Sequence, residues 1–172
     1  PNLLLAYQQL FIKLQEIGVT DLQIDEPFLV TDLNSDVINA YLNSYPQIRK
    51  FAGKIKLHLA TYFEGLNENT ALAFDLETDS VHIDLVRSSN QLDNCLNLIK
   101  ENGYLLFVHP STWRKPQSEK SKMRGFFDLM TKNNKMLYLE IHNSKDGMKT
   151  FGCGTRYDIY LIKKEINNNN YK

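Results

Sequence analysis

The stretch Glu101-Asn-Gly-Tyr-Leu-Leu-Phe-Val-His-Pro-Ser-Thr-Trp-Arg-Lys-Pro116 decides how the rest of the chain is read. An amphipathic run, Leu92 to Lys100, stops at Asn102-Gly103. A short apolar run, Tyr104 to Val108, begins at once and ends in His109-Pro110. Glycine just past the last periodic residue stops a helix, and a short apolar run bounded by turn residues is a buried strand. The pattern predicts helix, tight turn, central strand, then a polar loop at the strand's carboxyl end.

Upstream, the same plan repeats. Leu3, Leu4, Tyr7, Leu10, Phe11, Leu14 and Ile17 fall at helical spacing and Gly18 ends the run. Leu22 and Ile24 alternate with polar residues up to Pro27, a strand with Asp25 and Glu26 at its carboxyl end. Asn34 or Ser35 caps a helix predicted to reach about Tyr45, before Pro46. Lys54 to Thr61 alternates as a strand, Asn67 to Phe74 reads as a short helix, and Val81 to Val86 as a third strand.

Downstream, Lys122 to Lys132 places Met123, Phe126, Phe127 and Met130 on one helical face. Met136 to His142 and Arg156 to Lys163 are strands. No helix is read between them, so they pair antiparallel across the loop at Asp146-Gly147. Strand–helix alternation predicts an α/β fold. The sheet is mainly parallel, with about six strands, helices on both faces and an antiparallel pair at the end. A closed barrel needs about eight strands, so an open sandwich is expected. Residues 1–166 are expected as one domain, with 167–172 a disordered polar tail.

Composition narrows the function classes. The 172 residues hold 20 basic and 20 acidic side chains, so no long-range field draws the chain to nucleic acid or membrane. Any such contact must come from a local patch. Cys95 and Cys153 lie far apart without a CxxC, which suits a reducing compartment, a cytoplasmic setting, and gives no zinc framework. No apolar run reaches the ~20 residues of a membrane span. Pro1 leads directly into a helix with no signal-peptide pattern, and the chain reads as a piece of something longer or as a processed product.

Two resemblances carry the sequence further. Gln23-Ile-Asp-Glu-Pro27, Leu29-Val-Thr-Asp-Leu33, Ala60-Thr-Tyr-Phe-Glu-Gly65, His82-Ile-Asp-Leu-Val-Arg87 and Gln91-Leu-Asp93 resemble, in order and spacing, the amino-terminal barrel domain of cobalamin-independent methionine synthase. That resemblance covers residues 1–93. It implies methyl transfer from 5-methyltetrahydropteroyl-triglutamate to homocysteine on a zinc-bound thiolate. It also implies that the zinc ligands lie in a second barrel that these segments do not match. Asn102 to Pro116, Leu137-Tyr-Leu-Glu-Ile-His-Asn143, Asp146-Gly-Met-Lys-Thr-Phe151 and Cys153-Gly-Thr-Arg-Tyr-Asp-Ile-Tyr-Leu161 resemble something else. They are similar to the carboxyl part of type IIG adenine-N6 DNA methyltransferases, over residues 96–164. That family's fold ends in strand, helix and strand pair. Its S-adenosylmethionine loop and its adenine-gripping Asn/Asp-Pro-Pro-Tyr/Phe segment are not in this chain. The two segments meet near Asp93-Asn-Cys95, which reads as a recombinant, a gene fusion or an assembly artefact.

Each candidate site has a plain structural alternative. Asp25 and Glu26 offer paired carboxylates for an amine, a metal or a proton, or else cap a loop and face water. Asp84 and Arg87 could hold a charged ligand, with mutual pairing favoured. Trp113, Arg114, Lys115, Lys120, Lys122 and Arg124 form a basic loop able to neutralise phosphates and stack a base, or a solvated loop with Trp113 capping the core. His58, His82, His109 and His142 lack ligand spacing and read as ordinary sheet histidines, so no metal site is assigned. Gly152-Cys-Gly154 reads as a turn. Three functions stay open: a methionine-synthase fragment inactive alone, a non-catalytic DNA-binding remnant, or a recombined fold without activity. Zinc with methyl-tetrahydrofolate, or S-adenosylmethionine, is what the two families imply as cofactors.

Overall fold

A computed structural model describes residues 2–84, 87–88, 91–115, 118, 126–132 and 134–165. They fall into two compact units, Pro1–Leu98 and Ile99–Lys172.

The first unit opens with α1 (Asn2–Glu16) and β1 (Asp21–Asp25), then a 3₁₀ turn at Pro27–Val30 and α2 (Ser35–Ala52). β2 (Lys56–Ala60), a 3₁₀ turn at Asn67–Asn69, α3 (Thr70–Asp75), β3 (Ser80–His82) and α4 (Leu92–Leu98) complete it. Its sheet is parallel, in the order β1-β2-β3, with Asp25 beside Ala60 and Ala60 beside His82. Helical crossovers are what parallel neighbours require. Leu57 and Leu59 of β2 are fully buried with Phe11, Leu29, Tyr45, Ile48, Ala52, Ala73 and Leu76. Residues of α1, α2 and α3 all pack on this one core.

The opposite face of the sheet carries Asp21, Gln23 and Asp25, then His58 and Ala60, then Ser80 and His82, by strand alternation and register. His58 bridges the strands there, Nδ1 to Ser80 Oγ at 2.7 Å and Nε2 to Asp21 Oδ1 at 3.0 Å. Among the described residues, helices on both faces are therefore not what this unit shows. Its apolar face is covered, and its polar face holds largely exposed side chains.

α2 continues through Pro46 to Ala52 instead of ending at Tyr45. Asn34 Oδ1 accepts from Val37 N at 3.0 Å and starts the helix as expected. An interior proline costs ~3 kcal/mol. Beyond it, Ile48 and Ala52 are buried, and full burial of a side chain like Ile48 returns about 1.5–3 kcal/mol. Arg49 adds a clamp, donating to the Gly53 and Ile55 carbonyls at 2.8 and 2.6 Å and to Asp79 at 2.8 Å.

The second unit holds β4 (Tyr104–Pro110), a 3₁₀ turn at Ser111–Arg114, α5 (Phe126–Thr131), β5 (Lys135–His142), α6 (Ser144–Phe151) and β6 (Tyr157–Lys163). Its sheet has the order β4-β6-β5, and β6 is antiparallel to both neighbours. The antiparallel pairing of the last two strands is as read. The single six-stranded parallel sheet is corrected to two separate three-stranded sheets. A strand has two edges; β6 occupies one edge of β4 along Tyr104 to Pro110, and among the described residues no strand bonds the other.

The segment between β5 and β6 is also corrected, from loop to helix. Asn143 Oδ1 accepts from Lys145 N and Asp146 N, while Asp146 accepts from Asn143 N, a reciprocal cap that starts α6. Gly152 ends it in the left-handed region, at φ 68°. At the opening turn Asn102, not Gly103, takes positive φ. Gly103 is needed for closeness: a Cβ there would meet Ile99 Cγ2 at 2.5 Å and the Lys100 carbonyl at 2.8 Å. The helix read at Lys122–Lys132 is described from Phe126 onward, where Phe126 and Met130 are buried. The expected tail lies outside the described residues.

Candidate functional site

Parallel strands bring their carboxyl ends to one edge, where open α/β sheets bind ligands. At this edge Asp25, Ala60 and His82 stand side by side in one row. Adjacent strands lie ~4.8 Å apart, so Asp25 and His82 stand on strands about 10 Å apart, with the small, buried Ala60 between them.

Each polar group in the row is oriented. Gln23 Nε2 donates to Asp25 Oδ1 at 2.7 Å. The Tyr62 hydroxyl also donates to Asp25, and its phenol is held above its ordinary value, by desolvation first and then by the Asp25 charge and that bond. His82 Nδ1 lies 2.8 Å from the Thr61 carbonyl oxygen, which can only accept. The ring proton therefore sits on Nδ1, and Nε2 is the ring's hydrogen-bond acceptor. Thr61 is buried and returns a bond from Oγ1 to the His82 carbonyl at 2.8 Å. Beyond the row, Phe63 stands exposed at φ 85° against Tyr62, ring centroids 4.8 Å apart.

The two predicted carboxylates part company. Asp25 is exposed on the polar face of the sheet. Glu26 is turned the other way, accepting from Tyr41 and Tyr45 hydroxyls at 2.9 Å each. Those phenols are pushed well above their ordinary range, by burial first and by Glu26 next. Glu26 thus ties β1 to α2. Asp84 and Arg87 come together only loosely, Nε to Oδ2 at 3.8 Å. Asp84 Oδ1 caps Arg87 N at 3.1 Å, and its carbonyl accepts from Gln91 Nε2 at 3.0 Å.

In the second unit the predicted stacking residue is corrected. Trp113 is 1% exposed and donates Nε1 to the fully buried Asp158 at 2.9 Å. Its ring packs on Tyr160 and Phe126, with centroids 5.1 and 6.0 Å away, so no face is left for a base. Arg114 pairs with the same carboxylate through Nε at 2.8 Å and Nη2 at 3.3 Å. Lys115 is exposed. Lys120, Lys122 and Arg124 lie outside the described residues.

The sequence reading passes over Tyr41, Tyr45, Tyr62 and Asp158, and takes His82 for an ordinary sheet histidine. Tyr41 and Tyr45 are spaced four apart and share a helix face, and Asp158 is an acid inside an otherwise apolar strand. Both signals were present.

The family model for the N-terminal domain of cobalamin-independent synthases matches residues 1–108. The chain belongs to that family. A 5-methyltetrahydropteroyltriglutamate–homocysteine methyltransferase of Coxiella burnetii (strain RSA 493 / Nine Mile phase I) is 41% identical over 96 residues, 56% of this chain and 12% of the relative. Its namesake in Xylella fastidiosa (strain M23) is 43% identical over 98 residues, 57% of this chain and 13% of the relative. The protein of that name in Cytophaga hutchinsonii is 40% identical over 95 residues, 55% and 12%. The matched region thus amounts to 12–13% of the length of these relatives. The family match ends at residue 108, so β5, α6 and β6 lie beyond it.

Zinc, which the family implies, needs at least about three protein ligands. Among the described residues no group of three or more His, Cys, Asp or Glu could hold a metal ion, so they do not fit zinc. Among the same residues no helix is long and apolar enough to cross a membrane.

Proposed function

We propose that the first unit is the piece of a methionine-synthase-type methyltransferase that presents ligand-facing groups without performing the transfer. The observation that carries this is the row Asp25–Ala60–His82 at the carboxyl edge of a parallel sheet whose polar face is exposed, in a chain of this family. Parallel sheets are ordinarily covered on both faces. A polar, exposed face on such a sheet suits a ligand-lined interior. Asp25 accepts from an ammonium or hydroxyl of the ligand, His82 Nε2 accepts a hydrogen bond from it, and Tyr62 holds Asp25 in place. Zinc and methyl-tetrahydrofolate belong to the complete enzyme of a cytoplasmic pathway, and this chain alone binds without turnover. The test combines equilibrium dialysis against 5-methyltetrahydropteroyl-triglutamate and homocysteine with an assay for methionine. Binding weakened by Asp25→Ala, with no methionine formed, is expected. Multiple turnovers, or stoichiometric zinc, contradict it.

A second reading concerns the other unit. That unit runs β4, α5, β5, α6 and β6, with β5 and β6 antiparallel, and the reading rests on the sequence resemblance to the carboxyl part of DNA methyltransferases. With Trp113 buried, the contact with DNA is with phosphates, through Arg114, Lys115, Lys120, Lys122 and Arg124. Non-specific affinity of roughly 10⁻⁴–10⁻⁶ M is expected, falling with salt by ~0.7 in log–log slope per contact on a single strand. No binding at about 100 μM chain in low salt removes this reading. Methyl transfer from S-adenosylmethionine to DNA is not expected in either case.

A further inference from the structure

Among the described residues, the outer edge of β4 pairs with no strand. Lys164 N donates to the Gly103 carbonyl at 2.8 Å and Ser111 N to the Arg156 carbonyl at 3.1 Å, at the two ends of the β4–β6 ladder. Both pairs continue the register Leu105↔Ile162, Phe107↔Tyr160 and His109↔Asp158. Antiparallel bonding alternates, so the odd-numbered residues of β4 bond inward. The N–H and C=O groups of Tyr104, Leu106 and Val108 therefore point outward, on a strand at the edge of its sheet.

The side chains of the same three residues are 62%, 65% and 51% exposed. Edge strands are commonly blunted by charge, proline or a bulge. β5, the opposite edge, has two of these marks: the charges of Lys135 and Glu140 and a register shift between Met136 and Tyr138. From Tyr104 to Val108, β4 carries no charge and no bulge. Only its end is closed, by Pro110, which has no N–H.

We propose that β4 pairs antiparallel with β4 of a second copy of this chain, about a two-fold axis at Leu106. The register is self-complementary, as a two-fold interface demands. Leu106 exchanges both backbone bonds with its own counterpart, and Tyr104 does so with Val108 of the other copy. The side chains then meet as leucine on leucine and aromatic on β-branched, both favourable cross-strand pairs. The next position in that register would set Pro110 against Asn102, whose N–H already bonds the Lys164 carbonyl at 3.0 Å. The pairing is thereby confined to Gly103–His109 and does not slide. The area is modest. Three half-exposed side chains supply on the order of 300 Å² per copy, against ~800 Å² for a standard interface. The dimer is accordingly weak and concentration-dependent.

Sedimentation equilibrium of the full chain from about 10 μM to 1 mM tests this. A reversible monomer–dimer transition within that range is expected. Leu106→Lys places two ammonium groups across the axis and should weaken association at least about tenfold, as should Leu106→Glu with two carboxylates. Mixing L106K with L106E at equal amounts should restore the dimer, a result that a misfolded variant cannot give. Leu106→Pro removes only an outward N–H and should also abolish pairing. A wild type that stays monomeric at 1 mM, variants that dimerise as the wild type does, or a mixture that fails to recover overturns the proposal.

Discussion

Tyr45 donates its buried hydroxyl to Glu26 at 2.9 Å, and that bond fastens the middle of α2 to the carboxyl end of β1. A hydrogen bond to a charged acceptor is worth about 1.5–3 kcal/mol. Tyr45→Phe should lower unfolding free energy by about that much in urea titration. Asp25→Ala, one residue from Glu26 but exposed, should change stability by less than about 0.5 kcal/mol. Equal losses for both would show that the division between an anchoring and a ligand-facing carboxylate is wrong.

The same tyrosines set an alkaline limit. Burial, then Glu26, holds Tyr41 and Tyr45 protonated well above the ordinary value of 10.0. Below pH 10 both states keep the proton and the stabilisation is complete. Above it the unfolded chain ionises first, so stability falls as pH climbs towards the folded values. Denaturation midpoints measured between pH 8 and 11 should drop beyond about 10. The doubly substituted Tyr41→Phe, Tyr45→Phe chain should show a shallower drop.

Asp158 and Tyr160 make opposite predictions two residues apart. Asp158 is fully buried and holds both Trp113 and Arg114. Asp158→Ala strands the indole N–H and a guanidinium that is about one-third exposed, and should cost about 3 kcal/mol, the low end for a broken buried pair. The Tyr160 hydroxyl is buried without a partner among the described residues. Tyr160→Phe should therefore leave stability unchanged or raise it by about 1 kcal/mol. A loss of more than about 1 kcal/mol there would reveal a hidden bond.

Gly147 decides whether α6 can pack. Glycine to alanine in a helix ordinarily gains about 1 kcal/mol. Here the added Cβ would collide with the Thr155 backbone carbonyl, which has no side-chain freedom to yield. The clash wins, and Gly147→Ala should lower the thermal midpoint and loosen His142 stacking on Tyr157, rings now 4.3 Å apart.

What the sequence revealed follows from what periodicity encodes. Alternation at Leu22–Ile24 and at Leu57–Leu59 located strands, because one face is buried and the other is not. It did not name partners: Tyr104–Val108 reads alike as a central parallel strand or an edge of an antiparallel sheet, and pairing with β6 is set far along the chain. α6 escaped notice because Ser144–Phe151 is short and contains Gly147. Its Asn143…Asp146 cap was the available signal. At the site, the strand-end position of Asp25 was legible, whereas the orientation of His82 depends on the Thr61 carbonyl, a backbone group that no motif displays.

The row Asp25–Ala60–His82 is the centre of the account, and a chemical-shift titration of the full chain with 5-methyltetrahydropteroyl-triglutamate and homocysteine tests it most directly. The account predicts saturable shifts confined to Asp25, Ala60, Tyr62 and His82, lost in Asp25→Ala while the spectrum of the core is retained. Shifts centred elsewhere, or an unchanged edge at saturating ligand, would contradict it.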